Sequence, residues 1–323
     1  MEPAPTSPAT IEDPAANTQL RAKRVRFPGY DTEVGPVGHL AAERTHLQTL
    51  DWDHLELTPC SATIGAEVQG ISLADDLDDA VIDEIRGALL AYKVLFFRDQ
   101  DLTADQHVAF ARRFGDLEIH PFIPSNTDHP ELVRFAKSAD VGGYENGWHS
   151  DVSWRAAPSM GAVLRAVSVP ASGGDTLFAD AAAAYDGLSD ELRAEADELT
   201  AVHDFSQVFG HGLSAEARAE MREQYPPVEH PVIRTHPETG RRLIYVNRFF
   251  VRSIVGRSPE ASRAVINALC DAVALPEYQC RFRWEPGSVA FWDNRAVQHY
   301  ACSDYWPDVR VMERASIIGD APR

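Results

Sequence analysis

Apolar and polar residues alternate through LELTPCSATIGAEVQGISL, around Gly65 and Gly70, and this period of two predicts strands joined by tight turns. From Asp76 to Tyr92 the apolar residues instead recur at helical spacing behind an acidic first turn, which predicts an amphipathic helix. KVLFFRDQ, directly after it, is an apolar run of strand length. Thr103 is placed to N-cap a second helix, ADQHVAFARRFG, with Gly115 placed to end it. Strand-like segments follow (ELVRFAK, MGAVLRAVSV, DTLFAD, PVIRTHP, RLIYVN, SVAFWD and RVMERASIIG), interrupted by helix-like ones near 181–199, 214–224 and 259–272. Short strands with a few helices and no βα alternation predict a mainly β protein with helices (α+β), its core an antiparallel double-stranded β-helix, or jelly roll.

This pattern begins near residue 55. Residues 1–20 are rich in Pro, Ala, Thr and Ser and hold too few large apolar groups to offset ordering entropy, so a disordered tail is expected there. Residues 21–54 read as an arm with one short helix, and 55–323 as one globular domain. A net charge of -19 opposes binding to phosphate backbones, which excludes nucleic acid as an expected partner. There is neither a secretory leader pattern nor the run of roughly 18 apolar residues a membrane span needs, so a cytoplasmic protein is expected. Cys60, Cys270, Cys280 and Cys302 are too sparse for a disulfide scaffold or a CxxC zinc site and read as reduced thiols. Gly142-Gly143 and Gly173-Gly174 read as turns rather than nucleotide loops.

Candidate chemistry centres on GWHSDVSW. Alternate residues of a strand share a face, so His149 and Asp151 could reach one metal ion from one element, with Trp148, Val152 and Trp154 supplying apolar bulk around them. His299 in FWDNRAVQHYACSDY is the candidate third ligand from a distant strand. Two histidines and one carboxylate can form a facial triad that leaves coordination positions of Fe(II) open. A zinc hydrolase, or a jelly-roll binding protein with a structural metal, can use the same ligand types. In VRVMERASIIGD, Arg310, Met312 and Arg314 share one strand face; pointing inward, two arginines would suit a site that holds two anions.

With FFRDQ, FGDLEIHP, WHSDVSW, GGDTLFAD, HPETG, YVNRF, FWDNRAVQHYACSDY and RVMERASIIGD in order, the chain from about Leu57 to Asp320 resembles the taurine dioxygenase and TfdA-type family of Fe(II)/2-oxoglutarate oxygenases. The resemblance implies a dioxygenase that uses Fe(II), 2-oxoglutarate and O₂ to hydroxylate a small organic substrate, with release of succinate and CO₂. It implies His149, Asp151 and His299 as iron ligands, and Arg310 with Thr176 as the holders of the distal carboxylate of 2-oxoglutarate. Arg314 and His120, with Val152 beside them, would meet the substrate, expected to be a small anion: a sulfonate, an alkyl sulfate, a carboxylate or a secondary metabolite. A homo-oligomer, dimer or tetramer, is the family expectation. Two positions depart from taurine-specific members: Ile123 stands for a tyrosine and Glu145 for an asparagine. Asp151 retains the carboxylate that related halogenases lack, which favours hydroxylation.

Overall fold

Residues 25–26, 33–210 and 213–323 are described by the structure, a computed structural model; the expected tail lies outside them. The central element is a seven-stranded sheet with the order Glu56–Pro59, Ala66–Gln69, Val94–Phe97, Val289–Asp293, Ser159–Ser168, Arg310–Ile318 and Leu132–Lys137. Neighbours run antiparallel except Ala66–Gln69 against Val94–Phe97. A three-stranded sheet of Gln279–Phe282, Thr176–Asp180 and Val297–Ala301 lies over its inner face.

Residue parity explains why the central strands are apolar throughout. Leu95, Phe97, Phe291, Ala315 and Ile317 pack outward beneath the helices Asp79–Tyr92 and Ala104–Arg112. Val94, Phe96, Ala290, Trp292 and Met312 point the other way and meet Phe178 and Val297 of the small sheet. Phe96 stacks on Phe282 at 4.0 Å between ring centroids, a direct tie between the two sheets. A strand buried on both faces has no polar side to show, so it reads as a continuous apolar run. Two facing sheets with helices outside form the jelly roll that the strand pattern predicts.

The Thr103 cap forms as expected. Its hydroxyl accepts from the Gln106 N–H at 3.2 Å, and the Gln106 side chain accepts from the Thr103 N–H at 2.9 Å, closing a capping box. Thr103→Ala should cost about 1 kcal/mol and lower the melting temperature by about 2–4 °C in calorimetry, with activity unchanged. Gly115 behaves differently from its expectation. The helix ends at Arg112 with Arg113 as its cap, and Gly115 sits beyond at φ +150°, where an added Cβ would come within 2.9 Å of Ile317. It permits a close approach to the sheet rather than capping. The helix-like stretch near 181–199 is two helices, Ala181–Asp186 and Asp190–Asp197. Ala215–Gln224 and Pro259–Val273 form within a residue of the expected limits. Leu40–Leu47, in the N-terminal arm, is helical; its Glu43 pairs with the buried Lys93 and with Arg241 at 3.1 Å.

Candidate functional site

His149, Asp151 and His299 come together, all buried, with one ligand-type atom from each within 4.8 Å of the others. His149 Nε2 and His299 Nε2 each lie 3.9 Å from an Asp151 oxygen. The route differs from the strand expected at His149–Asp151. His149 makes a single antiparallel bridge to His299, through backbone hydrogen bonds of 3.1 and 2.8 Å, and the chain then turns. Val152 within that turn takes φ +45°, a left-handed conformation that a branched side chain rarely adopts. Such strain persists only where surrounding contacts impose it. They do so here through Asn294, whose Oδ1 accepts from the Asp151 N–H at 2.8 Å and whose Nδ2 donates to the carbonyls of Asp151 (3.0 Å) and Ser159 (3.1 Å).

The donor set fits a divalent cation. His149 Nδ1 donates to the Gly147 carbonyl at 2.7 Å, which leaves the Nε2 lone pair facing the site, and the imidazole stacks on Phe249 at 5.0 Å. Burial would push the Asp151 carboxyl up, but Arg314 and the two imidazoles outweigh it and hold the pKa at about 2. Burial lowers both histidines, His299 to about 3 with the neighbouring His149 adding to the effect. At neutral pH the three groups are therefore one anionic and two neutral ligands. Asp151 Oδ2 is buried without a hydrogen-bond partner, as expected of an atom reserved for a metal.

A cavity of about 250 Å³ opens from this triad. At one end lies Arg310, 6% exposed, with Nε and Nη2 buried and unpartnered and its guanidinium between the rings of Trp284 (5.9 Å) and Tyr305 (5.7 Å). Burial lowers its pKa. Thr176, also in the lining, accepts from Trp284 Nε1 at 3.0 Å. Gly174, at φ +72°, lets the backbone pass over the arginine: a Cβ there would sit 3.1 Å from Arg310 Cδ and Nε. A planar cation with free donors in a dry slot is complementary to a carboxylate.

At the other end, Arg314 Nη1 donates to Asp151 Oδ1 at 2.7 Å while its Nε is buried and unpartnered. His120 Nδ1 accepts from the backbone N–H groups of Phe122 and Ile123 at 3.2 and 3.1 Å, so its proton is on Nε2. Burial, reinforced by Arg314, lowers its pKa to about 3. Ile123, Val152, Val208, Phe209, Phe250 and Leu164 make the intervening wall apolar. Arg310, Met312 and Arg314 all line the cavity, the inward face that parity predicts. Opposite them, Glu313 points away to Arg134 and Arg165, each at 2.6 Å.

The profile of the Taurine catabolism dioxygenase TauD, TfdA family matches residues 54–316. The chain belongs to the TauD/TfdA family. It is 38% identical to the alpha-ketoglutarate-dependent sulfate ester dioxygenase of Pseudomonas putida, covering 83% of this chain and 91% of that protein. It is 36% identical to an alkylsulfatase of Acinetobacter baylyi over 82% of this chain and 86% of that one. A taurine dioxygenase from Burkholderia xenovorans superposes with a TM-score of 0.72 at 40% identity, covering 83% of this chain and 92% of the other. This TauD/TfdA-family chain is an Fe(II)/2-oxoglutarate-dependent dioxygenase that consumes O₂. The zinc-hydrolase and non-catalytic readings find no support in these relatives.

Every sequence-predicted site residue, Thr176 included, lines this cavity. Asn294, Phe249, Tyr305 and Lys137 were not predicted. Asn294 and Tyr305 stand within the motifs FWDN and SDY, but the signal that assigns them, a contact across the fold, is not written in sequence spacing.

Proposed function

We propose that this dioxygenase hydroxylates an alkyl sulfate ester or a closely similar small anion at a carbon next to the anionic group. His149, Asp151 and His299 hold the iron; Arg310 and Thr176 hold the distal carboxylate of 2-oxoglutarate. Iron, 2-oxoglutarate and O₂ together supply the oxidant, with succinate and CO₂ as co-products. Arg314 and His120 orient the substrate anion, and the apolar wall with Val152 positions the alkyl carbon and excludes water. A carbon that bears both a new hydroxyl and a sulfate oxygen loses sulfate and becomes an aldehyde. In this reading the protein is cytoplasmic and, as the family expectation has it, a homo-oligomer; among the described residues no helix is long and apolar enough to cross a membrane.

The observation that carries this reading is a pair of buried donors, Arg314 Nε and the Nε2–H of His120, in an otherwise apolar wall beside the triad. Ile123, which replaces the taurine-type tyrosine and lines the cavity, favours an alkyl group over the aminoethyl group of taurine. The test is succinate release across alkyl sulfates, sulfonates, aryloxy acids and uncharged analogues; an uncharged best substrate refutes the anion site. His120→Ala should raise the KM for the preferred sulfate ester about tenfold, the loss of one hydrogen bond to a charged group, and leave the KM for 2-oxoglutarate within about twofold.

A further inference from the structure

Lys137 is the Cα partner of Arg310 across the strands Leu132–Lys137 and Arg310–Ile318, so the two side chains leave the sheet on one face and both line the cavity. Two cations side by side repel. Between them in charge stands Glu145, whose Oε1 lies 2.8 Å from Lys137 Nζ and whose Oε2 accepts from the Tyr144 N–H at 2.9 Å. Gly143 marks the spot where the loop closes over the co-substrate end: a Cβ there would meet Tyr305 Oη at 2.8 Å, Ser303 Oγ at 3.1 Å and Glu145 Oε2 at 3.4 Å. Glu145 is thus grouped with Tyr305, the ring that flanks Arg310. It is also among the charges that offset the effect of burial on Arg310.

We propose that the Lys137–Glu145 ion pair sets the affinity and charge selectivity of the co-substrate end of the cavity, with its two halves acting in opposite directions. Lys137, Arg310 and Glu145 sum to one positive charge, which matches one carboxylate. Without Glu145 the same wall carries two positive charges and attracts any compact anion; without Lys137 the Glu145 carboxylate stands uncompensated and opposes the incoming carboxylate. The pair thereby disfavours compact anions that carry more charge than a single carboxylate at this end of the cavity. Glu145 has 36% of its side chain exposed, so its field is screened and the effects are modest. This inference rests on the assignment of Arg310 to the distal carboxylate of 2-oxoglutarate.

The test is the dissociation constant of N-oxalylglycine, a non-reacting dicarboxylate analogue, measured by calorimetry on the Mn(II)-supplemented protein. Glu145→Gln should tighten binding by about three- to tenfold, and Lys137→Met should weaken it by a similar factor. The double variant should return to within about twofold of wild type. Inorganic phosphate should displace the analogue from Glu145→Gln at a concentration several-fold lower, relative to the analogue's own affinity, than from wild type. If the pair only braces the loop, both single variants weaken binding together, and that outcome overturns the proposal, as does an unchanged affinity in Glu145→Gln. Arg310→Ala separates the two assignments. Should it bind the analogue normally, Arg310 is not the carboxylate anchor, whereas loss of binding in Arg310→Ala with same-direction effects at 137 and 145 refutes only the ion-pair role.

Discussion

Asp151→Ala and His149→Ala should each reduce succinate release by three orders of magnitude or more, to the background of the assay. Each removes one of three ligands from a site with no spare donor nearby, since the described residues offer no other group of three potential metal ligands. The two variants should nonetheless differ in stability. His149→Ala deletes an imidazole tied to the Gly147 carbonyl and stacked on Phe249. Asp151→Ala also strips Arg314 of its 2.7 Å partner and leaves a buried guanidinium uncompensated, a change that costs about 3–5 kcal/mol. Metal-free Asp151→Ala should therefore melt several degrees below metal-free His149→Ala. Equilibrium dialysis against Fe(II) checks the metal loss and differential scanning calorimetry the ranking. Succinate release at the wild-type rate in either variant would remove these residues from the iron site.

Arg310→Ala should raise the KM for 2-oxoglutarate by about 30-fold or more, which corresponds to the 2 kcal/mol lower end for truncating one partner of a buried charge pair. Turnover at saturating co-substrate should fall much less, because the triad and the substrate end of the cavity are untouched. The same arginine makes an opposite prediction for the ligand-free fold. Its Nε and Nη2 have no partner and burial lowers its pKa, so ordering it in a dry slot costs free energy until a carboxylate arrives. Arg310→Met, which keeps the volume and removes the donors, should raise the melting temperature of the free protein while losing co-substrate affinity. Stability exchanged for function in this way is what a preformed binding site entails. A KM within about threefold of wild type in Arg310→Ala would show that the distal carboxylate is held elsewhere.

What could be read in advance follows from the range of the forces involved. The Thr103 capping box is written in residues three apart, and the inward face of Arg310, Met312 and Arg314 follows from the two-residue period of a strand. Both are local rules. His149 and Asp151 were placed together by the same rule, which reached the right neighbours by the wrong geometry: a bridge and a turn held by Asn294 replace the strand. The strands Thr200–His203, Val228–Pro231 and Val251–Ile254 escaped notice because they are as short as Val94–Phe97 but lack its unbroken apolar run. Gly115 looked like a helix terminator, and only the packing of Ile317 against it gives its actual reason. Lys137 and Glu145 are eight positions apart on a strand and a loop, and no spacing rule joins them. Their contact exists only once the Leu132–Lys137 strand has docked at the edge of the sheet.

The strand Arg310–Ile318 has a further consequence for how the reaction is measured out. Its two arginines are four residues apart on one face, and an extended chain advances about 3.3 Å per residue, so their Cα atoms stand about 13 Å apart. That strand is paired on both sides, with Leu132–Lys137 and Ser159–Ser168, and cannot stretch or slide. It serves as a ruler whose marks are the two guanidinium groups. Inserting one residue between the marks would turn one arginine to the opposite face, and inserting two would restore both but lengthen the scale by about 6.6 Å. On the proposed roles of the two arginines, the distance from co-substrate anchor to substrate anion is fixed by this interval of backbone, so variants that enlarge the cavity wall should broaden the width of substrates accepted far more than their length.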